Sequence, residues 1–422
     1  MRTIDDFTRP LEYLSPLDDP LGKIVRDWAE NYVIPHRRKF DEDWKEHALI
    51  EPAFKKLMGE LGMQRVLFPE DLGGWGLGRS NYVGTASYRL MEEVARADSG
   101  MAVAFGVVYW PMVMIAMEPH VNRELCEEFA PIFCNTTEPR FAANAMTEPQ
   151  GGADIENMEI VGGSTIQTTA VLDGDEWVIN GHKLWPTNSG GVCDLFGVVC
   201  TTNPGSRDPN DFAFIFVPAD TPGVTQGPPY QKAGMAADKN GDIWFENVRV
   251  PKSYRAHGPG LDLMYFKEVI SFGNMGSVSF VGGVMLNVFE RLYEFVSSET
   301  YKGQPLKEHD AVAGVLADFV RDTEIVRMCG YQYARMLDRP DLYGPRWSDE
   351  IVAKGRAIKY WACDQGMADL GKAMNLMSSF GADRDWDVEK HWRDLKIVQL
   401  WMGGKQLCQA EVARWFFDLE TV

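Results

Sequence analysis

The chain is poor in positive charge. It has 42 lysines and arginines against 61 aspartates and glutamates, a formal net charge of −19 over 422 residues. Nucleic acid and anionic membrane surfaces both require basic stripes, so neither is expected as the main partner. A phosphorylated ligand stays possible, because backbone N–H groups at turns can hold one locally. Cysteine is sparse as well. Seven are scattered along the chain with no C-x-x-C pair, which speaks against a zinc site or a disulfide framework and for a reducing compartment. No uninterrupted apolar run reaches the about 18 residues that cross a bilayer. The opening MRTIDDFTRPLEYLSPLDD has neither an apolar signal core nor the Arg/Ser-rich, acid-poor look of a transit peptide. We therefore expect a cytoplasmic protein without a bound metal. Also missing are G-x-G-x-x-G, the Walker lysine loop, H-E-x-x-H and G-x-S-x-G, which removes the common nucleotide, zinc-hydrolase and serine-hydrolase signatures. The seven histidines are dispersed.

What is present is a large apolar fraction, 45% of residues, enough for an extensive core. Its period changes twice. Residues 1–139 read as helical: PLGKIVRDWAENYVIPHRRKF and EPAFKKLMGELGMQRVLF repeat apolar residues at three-and-four spacing. SYRLMEEVARADSGMAVAFGVVYWPMVMIAM becomes almost wholly apolar after Gly100, as a buried helix or pocket wall would. Residues 140–252 switch to short aromatic and β-branched runs bounded by Gly, Pro, Asp and Asn, with a hairpin expected at DGDE. That is an antiparallel β barrel or sandwich. Residues 253–422 return to helix, with Val312, Val315, Leu316 and Phe319 on one face. The expected class is α+β: a helical domain, a β domain, then a helical bundle.

Two stretches of the β domain could carry chemistry, MTEPQGGAD (146–154) and KLWPTNSGG (183–191). Each offers a threonine hydroxyl, free backbone N–H groups and a glycine turn, and Trp185 adds a large flat face. A planar heterocycle with hydrogen-bonding edges would fit between them. They read equally as tight turns with Trp185 in the core, and local chemistry alone favours that plainer reading. A third stretch, QLWMGGKQL (399–407), sets Gly403 and Gly404 between two helical flanks. Glycine in a helix interior costs about 1 kcal/mol relative to alanine, so the pair marks a turn or a close approach to the backbone.

Order and spacing add more. FAANAMTEPQGGAD, then EWVINGHKLWPTN, then WFENVRVP, then VEKHWRDLKIVQLWMGGKQL resembles the acyl-CoA dehydrogenase family over essentially the whole chain. The resemblance implies an N-terminal helical domain, a central β domain and a C-terminal four-helix bundle. It also implies FAD as cofactor, an acyl-CoA substrate oxidised at Cα and Cβ, and an electron-transfer flavoprotein or similar acceptor. A tetramer or dimer is implied, either a homo-oligomer or a hetero-oligomer with a related chain. By position, Asn144, Met146, Thr147, Gly152, Ala153, Trp185, Thr187, Asn375, Ser379, Gly404 and Gln406 would meet the cofactor. Ala153, Asn274, Trp401 and Gly403 would meet the substrate.

The chain departs from that pattern in several places. Glu299 stands where the family has an arginine for a neighbouring subunit's FAD, with Lys302 three residues on; Ser378 and Ser379 replace a Gly-Gly turn. Met402 stands where the family has its catalytic glutamate, and a thioether takes no proton at neutral pH. The family's alternative base position falls at Gly273. Glu268 is the nearest carboxylate and a candidate for a relocated base, though the plainer reading as a solvated helix-face acid is favoured. Three outcomes follow: a dehydrogenase of an unusual short, branched or cyclic acyl-CoA, its pocket narrowed by Tyr109 and Trp110; a flavin-containing lyase that needs no Cα base; or a non-catalytic subunit.

Overall fold

A computed structural model describes residues 3–151 and 164–417. The N-terminal part is helical, with α1 (Asp18–Trp28), α2 (Val83–Ala97), α3 (Ser99–Ala116) and α4 (Arg123–Cys134) as its main elements. Seven strands follow: β1 (Phe141–Ala145), β2 (Thr169–Asp173), β3 (Glu176–Lys183), β4 (Cys193–Thr201), β5 (Phe212–Pro218), β6 (Val224–Gln226) and β7 (Ile243–Pro251). The C-terminal part holds α5 (Leu261–Ser298), α6 (Asp310–Asp338), α7 (Asp349–Met377), α8 (Val388–Leu400) and α9 (Gly404–Phe416).

The strands form one sheet in the order β1-β4-β2-β3-β7-β6, with β5 on the other edge of β4. The expected hairpin is there: β2 and β3 pair from Thr169–Asn180 to Asp173–Glu176, and Gly174 takes the left-handed φ of +63° that the turn needs. The sheet departs from a purely antiparallel one, because β1 and β2 each pair with β4 in parallel. One sheet face carries its own apolar layer, including Ile179, Phe196, Ile215 and Phe245.

One continuous core joins the two helical parts. Small residues in α5 let α2 come close. A Cβ on Gly283 would lie 2.2 Å from the carbonyl oxygen of Glu92, so any side chain there would push the helices apart. α3 is capped by Asp98, which accepts from the Met101 N–H at 2.9 Å. Asp98 also pairs with buried Lys390 of α8 at 2.7 Å. Lys390 reaches Asp394 at 2.7 Å, and Asp394 accepts the Met235 N–H at 2.6 Å. This buried chain fastens the start of α3, the loop around Met235 and α8 to one another, and those three elements bound the cleft described next.

One expectation needs correcting here. Two helices are long and apolar enough to cross a membrane by length and composition alone: Ser99–Ala116, with Pro111 inside it, and Leu261–Ser298, with mean hydropathies of 1.7 and 1.5. Both are buried within the protein, as the centre of a large helical core requires.

Candidate functional site

A cleft of about 700 Å³ opens where the β domain meets α3 and the α8–α9 turn. Its volume lies in the range that small-molecule and cofactor sites occupy. Asn144, Met146 and Thr147 come from the end of β1, and Trp185 and Thr187 from the loop after β3. The other walls are Val103, Val107 and Trp110 of α3 and the Ile397–Gly403 stretch.

The two stretches singled out in the β domain are bound together. Leu184 donates its N–H to the Thr147 carbonyl at 2.8 Å. Lys183, fully buried, donates to Glu148 at 2.8 Å and to the Met146 carbonyl at 2.9 Å. Burial alone would push the Glu148 carboxyl up. The Lys183 charge, with the N–H groups of Thr168 and Gln167, outweighs it and holds the group at about 2. The buried pair thus fixes the loop carrying Met146 and Thr147.

Trp185 is not a core residue. It sits at φ +66°, is 47% exposed, and lies over Tyr230 with ring centres 4.1 Å apart. The Thr187 hydroxyl meets Asp238 at 3.3 Å. Asn144 is buried, and its Oδ1 finds no hydrogen-bond partner among the described residues. A buried amide oxygen without a donor is costly. That oxygen is turned toward Gly197 of β4, 3.1 Å from where a Cβ there would stand, so it is the residue and not this atom that borders the cleft. Gly152 and Ala153 lie outside the described residues.

The α8–α9 turn closes the far wall. α8 ends at Leu400 and α9 begins at Gly404, and Met402, Gly403 and Gly404 have φ of +51°, +76° and +60°. Three successive left-handed residues explain the two glycines: α9 cannot start at this angle otherwise. Two buried cations of α7, one turn apart, hold this strained segment by its carbonyls. Arg356 donates to Met402 at 2.9 Å and Lys359 to Trp401 at 2.8 Å. Arg356 is itself paired with Glu411 of α9.

Met402 is buried and lines the cleft. Its thioether fills the notch that Gly273 leaves open: a Cβ on Gly273 would meet Met402 Cε at 2.7 Å and Sδ at 2.8 Å. The two positions that lack a base are therefore in contact. Trp401 donates its indole N–H to Ser277 Oγ at 3.0 Å, and Ser277 donates to the Gly273 carbonyl at 2.8 Å.

Other expected residues lie elsewhere. Glu268 is neither solvated nor on the cleft. It is fully buried in α5, paired with Arg346 at 3.0 Å and 3.5 Å from His120. Burial pushes its carboxyl up to about 7 against the pull of Arg346, and pushes His120 down to about 3. Glu268 is not among the residues lining the cleft. Asn274 is also fully buried, with no partner for its amide among the described residues, and lines neither the cleft nor the cavity behind it. Asn375, Ser379 and Gln406 are exposed and do not line this chain's cleft. Ser378 has φ +54° and Lys302 φ +53°. Glu299 closes α5 beside the exposed hairpin of Thr300–Tyr301 and Gln304–Pro305.

Sequence reasoning missed the 232–240 loop, which brings Lys232, Met235, Asp238 and Asn240 to the cleft. Asp238 is the single carboxylate among the described lining residues, and Thr187, the Asn188 N–H and Lys232 already engage it.

Family models agree with this geometry. The acyl-CoA dehydrogenase N-terminal domain matches residues 19–135, the middle domain 143–248 and the C-terminal domain 263–417. The chain is 27% identical over 398 residues to the mitochondrial short-chain specific acyl-CoA dehydrogenase of Bos taurus, covering 93% of this chain and 88% of that one. It is 26% identical over 411 residues to the cyclohexane-1-carbonyl-CoA dehydrogenase of Syntrophus aciditrophicus, covering 97% and 98%. In fold it is similar to butyryl-CoA dehydrogenase from Megasphaera elsdenii, with a TM-score of 0.80, 21% identity and 96% and 98% coverage. It is similar too to a glutaryl-CoA dehydrogenase from Mycobacterium smegmatis in complex with FADH2, with a TM-score of 0.82, 18% identity and 100% coverage of both chains.

Proposed function

The chain belongs to the acyl-CoA dehydrogenase family, and from that premise we propose that it is an FAD-dependent enzyme working at Cα and Cβ of a short apolar acyl-CoA thioester without a carboxylate base at position 402. The residues present fit the cofactor. Trp185 would lie against the ring, and Thr187 and Thr147 would meet its polar edge. FAD, when bound, supplies a two-electron acceptor for hydrogen leaving the acyl chain.

The observation that carries the proposal is the seating of the Met402 thioether on Gly273. It fills the base position with an apolar group and keeps water out of it. Asp238, the remaining carboxylate on the cleft, has Oδ2 engaged by Lys232 and Thr187 and Oδ1 by the Asn188 N–H. No group on the described wall is therefore poised to take the Cα proton. The same observation favours a second reading, cleavage of a Cβ substituent that departs without its bonding pair, such as a sulfinate lost as SO2, with the pair on Cβ taken up by a proton from water; that step removes no Cα proton.

Met402→Glu is the test. The new carboxylate would stand in a low-dielectric wall, where burial raises its pKa toward the working pH and suits it to proton abstraction. With a saturated acyl-CoA and an artificial electron acceptor, the native protein should turn over barely, and the variant faster by a factor on the order of 100. Brisk oxidation by the native protein, unchanged by Met402→Glu, overturns the reading.

A further inference from the structure

We propose that Trp401 sets the length of the acyl group this site accepts, an inference that rests on the thioester reading above. Trp401 stands between two spaces. On one side is the cleft. On the other is an inner cavity of about 40 Å³, enclosed by apolar residues of α2, α3 and α5 such as Met91, Val113, Met275 and Phe280. Four residues line both spaces: Val103, Val107, Trp110 and Trp401. The boundary between the two spaces is thus formed by two valines and two tryptophans, and the tryptophan ring centres are 5.8 Å apart.

Trp401 is held in place on three sides. Its indole N–H is taken by Ser277, which is anchored in turn on the Gly273 carbonyl. Its own carbonyl is held by buried Lys359. Its ring packs on Phe280 at 5.9 Å as well as on Trp110. To swing aside, the indole must give up a buried hydrogen bond and two aromatic contacts. The partition is therefore stiff, whereas Val103 and Val107 project from the regular helix α3 and offer no comparable movable barrier.

The space behind the partition is small. A cavity of about 150 Å³ lined by apolar side chains takes up benzene, and this one has roughly a quarter of that volume. It admits the last one or two carbons of a chain and no more. It is also dry in character. No charged side chain lines it, and the Tyr109 hydroxyl on its wall already donates to the Met63 carbonyl at 2.5 Å. A terminal carboxylate or amine would enter with no charged partner, and the Ser87 hydroxyl on the wall cannot neutralise it. The substrate class is thus a short acyl group with an apolar end.

The experiment is a calorimetric titration of the FAD-loaded protein with butyryl-CoA, octanoyl-CoA and glutaryl-CoA. Native protein should bind butyryl-CoA at least about tenfold more tightly than either of the others. Trp401→Leu should shift the butyryl-to-octanoyl preference toward octanoyl by about tenfold or more, and Ser277→Ala, which frees the indole while keeping it, by a smaller step in the same direction. Neither variant should gain glutaryl-CoA, because no polar partner is created. A general loss of packing would weaken all three ligands together and leave their ratio unchanged. The proposal is overturned if native protein binds octanoyl-CoA as tightly as butyryl-CoA, or if the ratio stays fixed in both variants; should Trp401→Leu fail to fold, Ser277→Ala decides alone. Native protein that binds no acyl-CoA at all would instead refute the thioester reading, and this inference with it.

Discussion

Replacing Lys183 with methionine asks how strongly the loop on the cofactor side of the cleft is held. Lys183 is fully buried and joins Glu148 to the Met146 carbonyl. Glu148 also accepts the N–H groups of Gln167 at 2.8 Å and Thr168 at 2.9 Å. Burial works against the carboxylate, yet these partners hold its pKa at about 2, below the ordinary 4.5. A depressed value in the folded state means that the stabilisation is present above pH 4.5 and is lost as pH falls through about 2. The gap corresponds to about 3 kcal/mol. Methionine keeps the length of the side chain and removes the charge, so Glu148 is left buried without its counter-ion, a loss of about 3–5 kcal/mol. Urea denaturation at pH 7 should register a loss of that size. The difference between native protein and variant should shrink as pH is lowered toward 3, where the native pair is failing too. Adding Glu148→Gln to the variant should recover part of the loss, since the uncompensated charge is gone. A variant that loses less than about 1 kcal/mol and keeps the native acid slope would refute the reasoning.

Gly273→Ala should force Met402 and Trp110 aside, because the new Cβ would lie 2.7 Å from Met402 Cε and 2.9 Å from Trp110 Cζ2. We expect a cost of about 1–3 kcal/mol in denaturant midpoints, smaller when introduced into a Met402→Ala background because only the Trp110 contact then remains; costs that simply add in the double variant would mean that the thioether is not what occupies the notch. Glu268→Gln should flatten the pH dependence of stability. Burial raises the native carboxyl to about 7, so its contribution is present below pH 4.5 and is lost as pH rises through 7, by up to about 3 kcal/mol. Thermal melts of native protein and variant that run parallel between pH 5 and pH 8 would sink this assignment.

Period and turn chemistry made the helix–sheet–helix order legible, because apolar spacing states which face of an element must be covered. For the cofactor side, local chemistry favoured plain turns and only the resemblance pointed to one ligand; the structure adds that MTEPQGGAD and KLWPTNSGG are joined by the backbone bond from Leu184 to Thr147. What spacing does not report is which buried charge meets which. Glu268 reads as a solvated acid on a helix face, and instead shares the interior with Arg346 and His120. Arg356 and Lys359 of α7 hold the α8–α9 turn by its carbonyls. Their partners lie more than forty positions along the chain, so no local pattern names them. The 232–240 loop escaped for a related reason: it lines the cleft with a methionine and polar side chains whose spacing repeats nothing.

The relation between Met402 and Gly273 was hidden in the same way. In sequence they are two separate departures, 129 positions apart by their numbers; in the fold they are one packing event. The glycine makes room and the thioether fills it, so a side chain at 273 brings strain and a shorter one at 402 leaves a void. A methionine at φ +51° is itself unfavourable by about 1–3 kcal/mol, and persists because Arg356, Lys359 and the Gly273 notch each fix part of the turn. This also settles which of the two positions can regain a carboxylate. At 273 any side chain collides with Met402 and Trp110. At 402 a glutamate has nearly the length of methionine and can follow the same path along the wall. Restoration of a base should therefore succeed from the turn between α8 and α9 and fail from α5, unless Met402 is shortened first.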